Sequence, residues 1–184
     1  VRDAVTMEDR EYYAKVVFVC ASAMSSTSIL LNSTSSRFPD GMGNDSGQLG
    51  RNLMDHHFRV GASGVWEGDR DIYFYGRRAN GIYIPRYRNI GSDKRDYARG
   101  FGYQGGGGRE NWQRGAWTMG LAGFGEMLPH PENRMYLDKT GRDKWGMPLV
   151  VFNAELRENE KKMRIDMAND AKEMLEASGL KNVK

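Results

Sequence analysis

Residues 55–57 read Asp-His-His, three adjacent groups able to ligate a metal, relay a proton or activate a nucleophile. Adjacent side chains diverge on a helix and on a strand alike, so His56 and His57 make poor co-ligands for one ion. His130 is the only other histidine and Cys20 the only cysteine, which leaves no ligand spacing of the kind zinc requires. No G-x-S-x-G turn presents a nucleophile for a Ser–His–Asp site. By themselves these residues predict His56 as a buried or half-buried imidazole fixed by one hydrogen bond. A second place for chemistry is the run of small side chains Cys20, Ala21, Ser22 and Ala23. Small residues where a strand passes into a helix admit a ligand or another backbone, and the helix start offers free N–H groups to an anion. An ordinary strand–turn–helix that packs tightly has the same composition. Six glycines fall within residues 100–109. No Gly-Lys-Ser/Thr follows them, so they predict a loop without phosphate-loop chemistry.

The elements that must position these residues come from periodicity. Val16, Val17, Phe18 and Val19 form a continuous β-branched and aromatic run, which predicts a strand buried on both faces. Met24, Ile29, Leu30 and Leu31 have helical spacing, and residues 35–50 read as a surface connection. From residue 58 the pattern is β. Val60, Ala62, Val65 and Trp66 are expected to pair with 72–75 in a hairpin across Gly68-Asp69. A short strand at 82–84 stops at Pro85, and further strands are expected at 116–127, 135–137 and 148–152, the last two joined by a turn at 139–141. Residues 155–177 carry Leu156, Met163, Met167, Ala171, Met174 and Leu175 as a helical stripe on a charged segment. The expected fold is α+β: a mainly antiparallel sheet covered by a long C-terminal helix, preceded by a strand–helix unit of the kind found in an α/β domain.

Composition bounds the function. The chain has 184 residues and a formal net charge of +3, too small to mark a nucleic-acid binder by itself. Between residues 77 and 114 nine Lys or Arg face three Asp or Glu, a basic stretch that suits a solvated face or an acidic neighbour. No apolar run is long enough to span a bilayer, so neither nucleic acid nor membrane is expected as a partner. A single cysteine fits a reducing compartment such as the cytoplasm, with the compartment otherwise open.

Two stretches, residues 14–31 and 47–56, together resemble the glucose-methanol-choline (GMC) family of FAD-dependent oxidoreductases. The first follows that family's A-x-x-V-(apolar)-x-A-(G/S)-A-x-x-(S)-x-x-L-L pattern, and the second, GQLGRNLMDH, its G-x-(V/L)-G-x-N-L-x-D-H pattern. A fainter echo of the family is Asn133-Arg134-Met135-Tyr136-Leu137 with Asp143, Gly146 and Pro148. The resemblance implies FAD as cofactor, an alcohol or sugar as substrate, and hydride transfer from a CH–OH group. It also implies cofactor contacts at Ala21, Ser22, Ala23, Asn52, Asp55 and His56. The family's G-x-G-x-x-G turn and its C-terminal catalytic histidine have no counterpart here, so no catalytic residue is assigned. The expectation is an internal piece of a longer enzyme: residues 1–50 from a flavin domain and 51–184 as a substrate domain. Its partners would be the remaining segments of the same enzyme, and the isolated chain would be inactive. Ser22 and Thr27 replace the family's Gly and Pro, which leaves the subfamily open. The alternative is a non-enzymatic α+β binding module for carbohydrate or an acidic partner.

Overall fold

A computed structural model describes residues 1–68, 81–111 and 114–184. The expected strand at 72–75, and Arg77 and Arg78 of the basic stretch, lie outside the described residues. Two helices and six strands are present among the described residues, and all strand pairing is antiparallel, an α+β fold. The chain divides into two units, residues 1–53 with 129–155 and residues 54–128 with 156–184.

In the second unit, β1 (His56–Trp66), β2 (Gly81–Ile84), β3 (Phe101–Asn111) and β4 (Arg114–Glu126) form one sheet in the order β1-β4-β3-β2. Helix α1 (Ser22–Asn32) belongs to the other unit; α2 (Glu158–Ala177) lies on one face of this sheet. The i, i+4 stripe Met163, Met167, Ala171 and Leu175 is fully buried there against Phe101, Tyr103, Leu121 and Val60. Close approach explains two glycines of β4. A Cβ at Gly123 would sit 2.1 Å from Met167 Sδ, and one at Gly125 would sit 2.6 Å from Met163 Sδ. Glu160 fixes the helix start: its carboxylate accepts from the backbone N–H groups of Arg157 (2.9 Å) and Leu128 (3.0 Å). Beyond Gly179, at φ +88°, the tail pairs on β1 through mutual bonds of Lys181 with Val65 and Lys184 with Ser63.

The glycine-rich stretch is not a loop. It is β3, an inner strand between β4 and β2. A Cβ at Gly105 would lie 2.4 Å from the Gly120 carbonyl oxygen, so side chains are excluded there by the neighbouring strand. Glycine's low strand propensity is outweighed because the flanking aromatics Phe101 and Tyr103 anchor the strand in the core.

In the first unit, α1 spans Ser22–Asn32 as its spacing predicts, but residues 16–20 form no strand. Val16, Val17 and Phe18 are 65, 74 and 83% exposed. A strand buried on both faces needs neighbours on both edges, and the described residues supply none for this run. The remaining strands, β5 (Arg134–Arg142) and β6 (Pro148–Asn153), form a separate two-stranded ribbon. The turn lies later than 139–141. Asp138 Oδ1 caps the N–H groups of Thr140 and Gly141 within β5, and the chain reverses at 143–147, where Asp143 Oδ1 accepts from Trp145 and Met147.

Candidate functional site

The face of the second unit's sheet opposite α2 is the better candidate site. Along β3 the buried Phe101 and Tyr103 alternate with Gly102 and Gln104, and along β4 the buried Gly123 and Gly125 alternate with Phe124 and Glu126. The outward set lines a cleft of about 380 Å³, together with His56, Tyr83, Arg86 and Arg99. His56 and Glu126 are directly opposed across the β1–β4 pair. Arg99 stands 3.7 Å from the Glu126 carboxylate. Tyr83, on β2, is 71% exposed and offers an open aromatic face. The cleft thus combines an aromatic platform with guanidinium donors and carboxylate and amide acceptors, a set suited to a hydroxylated ligand.

The arginines are held by the segment before β3. Asn89 donates to the carbonyls of Tyr97 (2.8 Å) and Arg99 (2.6 Å) and accepts from the Arg95 N–H (2.7 Å), closing the segment on itself. Tyr87 and Arg88 both donate to the buried carboxylate of Asp170 on α2, and Tyr97 donates to Asp166. Burial, then the bonds to these carboxylates, pushes the Tyr87 and Tyr97 hydroxyls well above their ordinary range. Arg95 faces Asp93 at 3.2 Å and Asp166 at 3.7 Å. Arg88 and Arg95 of the basic stretch are therefore neutralised by acidic residues of their own unit.

The Asp-His-His triplet divides as strand geometry requires. His56 is exposed on the cleft face, while His57 is 4% exposed and points at α2, with Nε2 3.1 Å from Met163 Sδ. The buried imidazole predicted for His56 is in fact His57. Desolvation lowers the His57 pKa, and Arg164 and His56 reinforce this against the opposing charge of Glu160. Asp55 uses its carboxylate locally, accepting from the His56 backbone N–H at 2.7 Å.

Ala21, Ser22, Ala23 and Asn52 lie in the first unit, and Asp55 and His56 in the second. At the start of α1 the side chains are small and Ser22 and Ala23 exposed. No side chain caps the helix, and its first turn holds no acidic residue. That start fits an anionic group approaching the backbone, as the pyrophosphate of a dinucleotide would. Asn52 spends its amide on Gln48 Oε1 at 3.1 Å. Gln104 and Glu126 have no signal in the sequence as cleft residues; Tyr83 and Phe124 are legible there only as aromatics of the 58–127 sheet that could stack on a sugar, and Arg86 and Arg99 only as part of the basic stretch. The signal that could have found them is the alternation of 101–104 and 121–126, hidden by glycines.

No family model matches the chain. Among curated proteins, 2-methyl-1,2-propanediol dehydrogenase of Mycolicibacterium austroafricanum is 30% identical over 180 residues, 86% of this chain and 32% of that protein. The fructose dehydrogenase large subunit of Gluconobacter japonicus is 27% identical over 155 residues, 73% of this chain and 28% of that protein. The chain thus spans about a third of the length of the curated relatives it matches. Both relatives are named as dehydrogenases, which supports an oxidoreductase-like role and gives none to a non-enzymatic binding module.

Proposed function

We propose that this chain is part of an FAD-dependent oxidoreductase of the GMC type that oxidises a CH–OH group of a polyol or sugar. The observation that carries the reading is the similarity, over most of this chain, to two dehydrogenases named for a diol and a ketose. The two motifs at 14–31 and 47–56 add the family, and with it FAD. The start of α1 fits the cofactor, with the small side chains of Ala21, Ser22 and Ala23 admitting a phosphate to the N–H groups of Ser22 and Ala23, while the Ala21 N–H donates to Ser26 Oγ at 3.2 Å. When bound, the flavin supplies the two-electron acceptor.

The work of this chain is recognition. In the cleft, Glu126 and Gln104 accept bonds from substrate hydroxyls, Arg86 and Arg99 donate to them, and Tyr83 supplies a face for the carbon skeleton. These contacts orient the carbon that gives up its hydride; removal of the hydroxyl proton is assigned to none of them. The base and the rest of the cofactor site are assigned to further segments of the same enzyme.

The reading is tested with the full-length gene product. Glu126→Gln and Tyr83→Ala are expected to raise KM for a diol or ketose by roughly tenfold, with kcat changed less. Variants whose KM stays at the parent value for every diol and sugar would remove the cleft from the substrate site.

A further inference from the structure

The first unit holds a second cleft, of about 470 Å³, whose lining includes Arg51, Arg134, Tyr136, Asp40, Asp45 and Ser46. An isolated β-bridge pairs Arg51 with Arg134, so the chain places two cations side by side at its wall. Like charges at neighbouring positions repel unless something between them is negative. No carboxylate among the described residues forms an ion pair with either guanidinium. Arg51 gives its Nε to the Gly47 carbonyl (3.0 Å) and its Nη1 to the Pro131 carbonyl (3.2 Å), which fixes the side chain. Arg134 lies over the Tyr136 ring at 5.3 Å, and its Nε is buried with no acceptor. A buried N–H without a partner is costly and uncommon in a folded chain. Asp40, Asp45 and Ser46 add acceptors to the lining, and its two carboxylates equal its two guanidinium groups in number.

We propose that this cleft binds a small organic oxyanion, a carboxylate or phosphate, that also carries hydroxyl groups. The guanidinium Nη groups not taken by the carbonyl bonds donate to the anion, and Asp40, Asp45 and Ser46 accept from the hydroxyls. The proposal is independent of the oxidoreductase reading, since it uses none of the cleft residues of the second unit.

The test is a titration of the 184-residue chain by amide-resolved NMR with gluconate and glycerol phosphate, and with acetate and inorganic phosphate as anions lacking hydroxyls. Both hydroxylated anions are expected to saturate shifts within residues 40–51 and 134–136, to weaken with added salt, and to bind more tightly than the bare anions. Arg134→Gln is expected to weaken them at least about tenfold. Arg134→Lys keeps the charge and loses the fork, so it provides a folded comparison with intermediate binding. Shifts absent from these residues, or affinity unchanged in Arg134→Gln, overturns the site. Equal affinity for bare and hydroxylated anions overturns the ligand class.

Discussion

At the scale of single residues, His57 shows how little separates a functional reading from a structural one. Its sequence neighbour His56 shares its chemistry, yet one imidazole faces the open cleft and the other the helix. The triplet told that the two would diverge, since that follows from strand geometry alone. Which one turns inward was not legible. It depends on the irregularity between His57 and Val60, where Arg59 takes a φ of +63° and puts both residues on the core face. The buried position has a pH consequence. The folded-state pKa is lowered by desolvation, with Arg164 and His56 adding to it and Glu160 opposing. The unfolded chain then takes the proton first. Stability is present above the ordinary histidine value of about 6.5 and is lost as pH falls below it toward the lowered folded value. Urea unfolding is expected to show a lower midpoint at pH 5.5 than at pH 7.5, at about those two pH values. His57→Leu should flatten that difference; an undiminished slope would place the titration elsewhere. Gly125→Ala is a second residue-scale case, because its Cβ would fall 2.3 Å from His57 Nε2. Overpacking there is expected to cost about 1–3 kcal/mol, read from the same curves.

At the scale of elements, what was legible was what is local. The stripe Met163, Met167, Ala171 and Leu175 repeats at helical spacing within one segment, and α2 buries that stripe. Met167→Ala is expected to cost roughly 2–5 kcal/mol, whereas Ile165→Ala, at a 65% exposed position, should stay within about 0.5 kcal/mol. Chemical denaturation of the two variants separates them. Non-local elements were not legible. Strand β3 is specified by its neighbours and by Phe101 and Tyr103, while its own glycines argue against any strand. Residues 16–20 show the opposite failure: their composition argues for a buried strand, and the described residues give it nothing to pair with. The anchoring of the 87–103 segment to α2 makes a further prediction. Burial, then bonds to Asp170 and Asp166, raises the Tyr87 and Tyr97 pKa values above an ordinary 10, and burial raises that of Tyr103. A raised folded value contributes stability that is intact below about pH 10 and lost as pH climbs past it. Ultraviolet titration should therefore show tyrosines that ionise only with unfolding. Asp170→Asn, which removes the nearest of the three carboxylates around Arg88 and leaves Asp93 and Asp166 at 3.9 Å, should lower stability by roughly 1.5–3 kcal/mol.

At the scale of the whole molecule, the account rests on the chain being one contributor to a larger site. The start of α1 offers the backbone of Ser22 and Ala23 to a cofactor, but so few backbone contacts do not offset the cost of immobilising a dinucleotide. The purified 184-residue chain is therefore expected to be colourless and to reduce no dye with a diol or sugar. Stoichiometric flavin on this chain would show that it carries more of the site than assigned here. The central claim concerns the full-length gene product, and its anaerobic absorption spectrum tests it most directly. The account predicts oxidised flavin bands that bleach when a diol or ketose is added. A full-length protein without flavin bands, or with bands that no diol, sugar or simple alcohol bleaches, would contradict it.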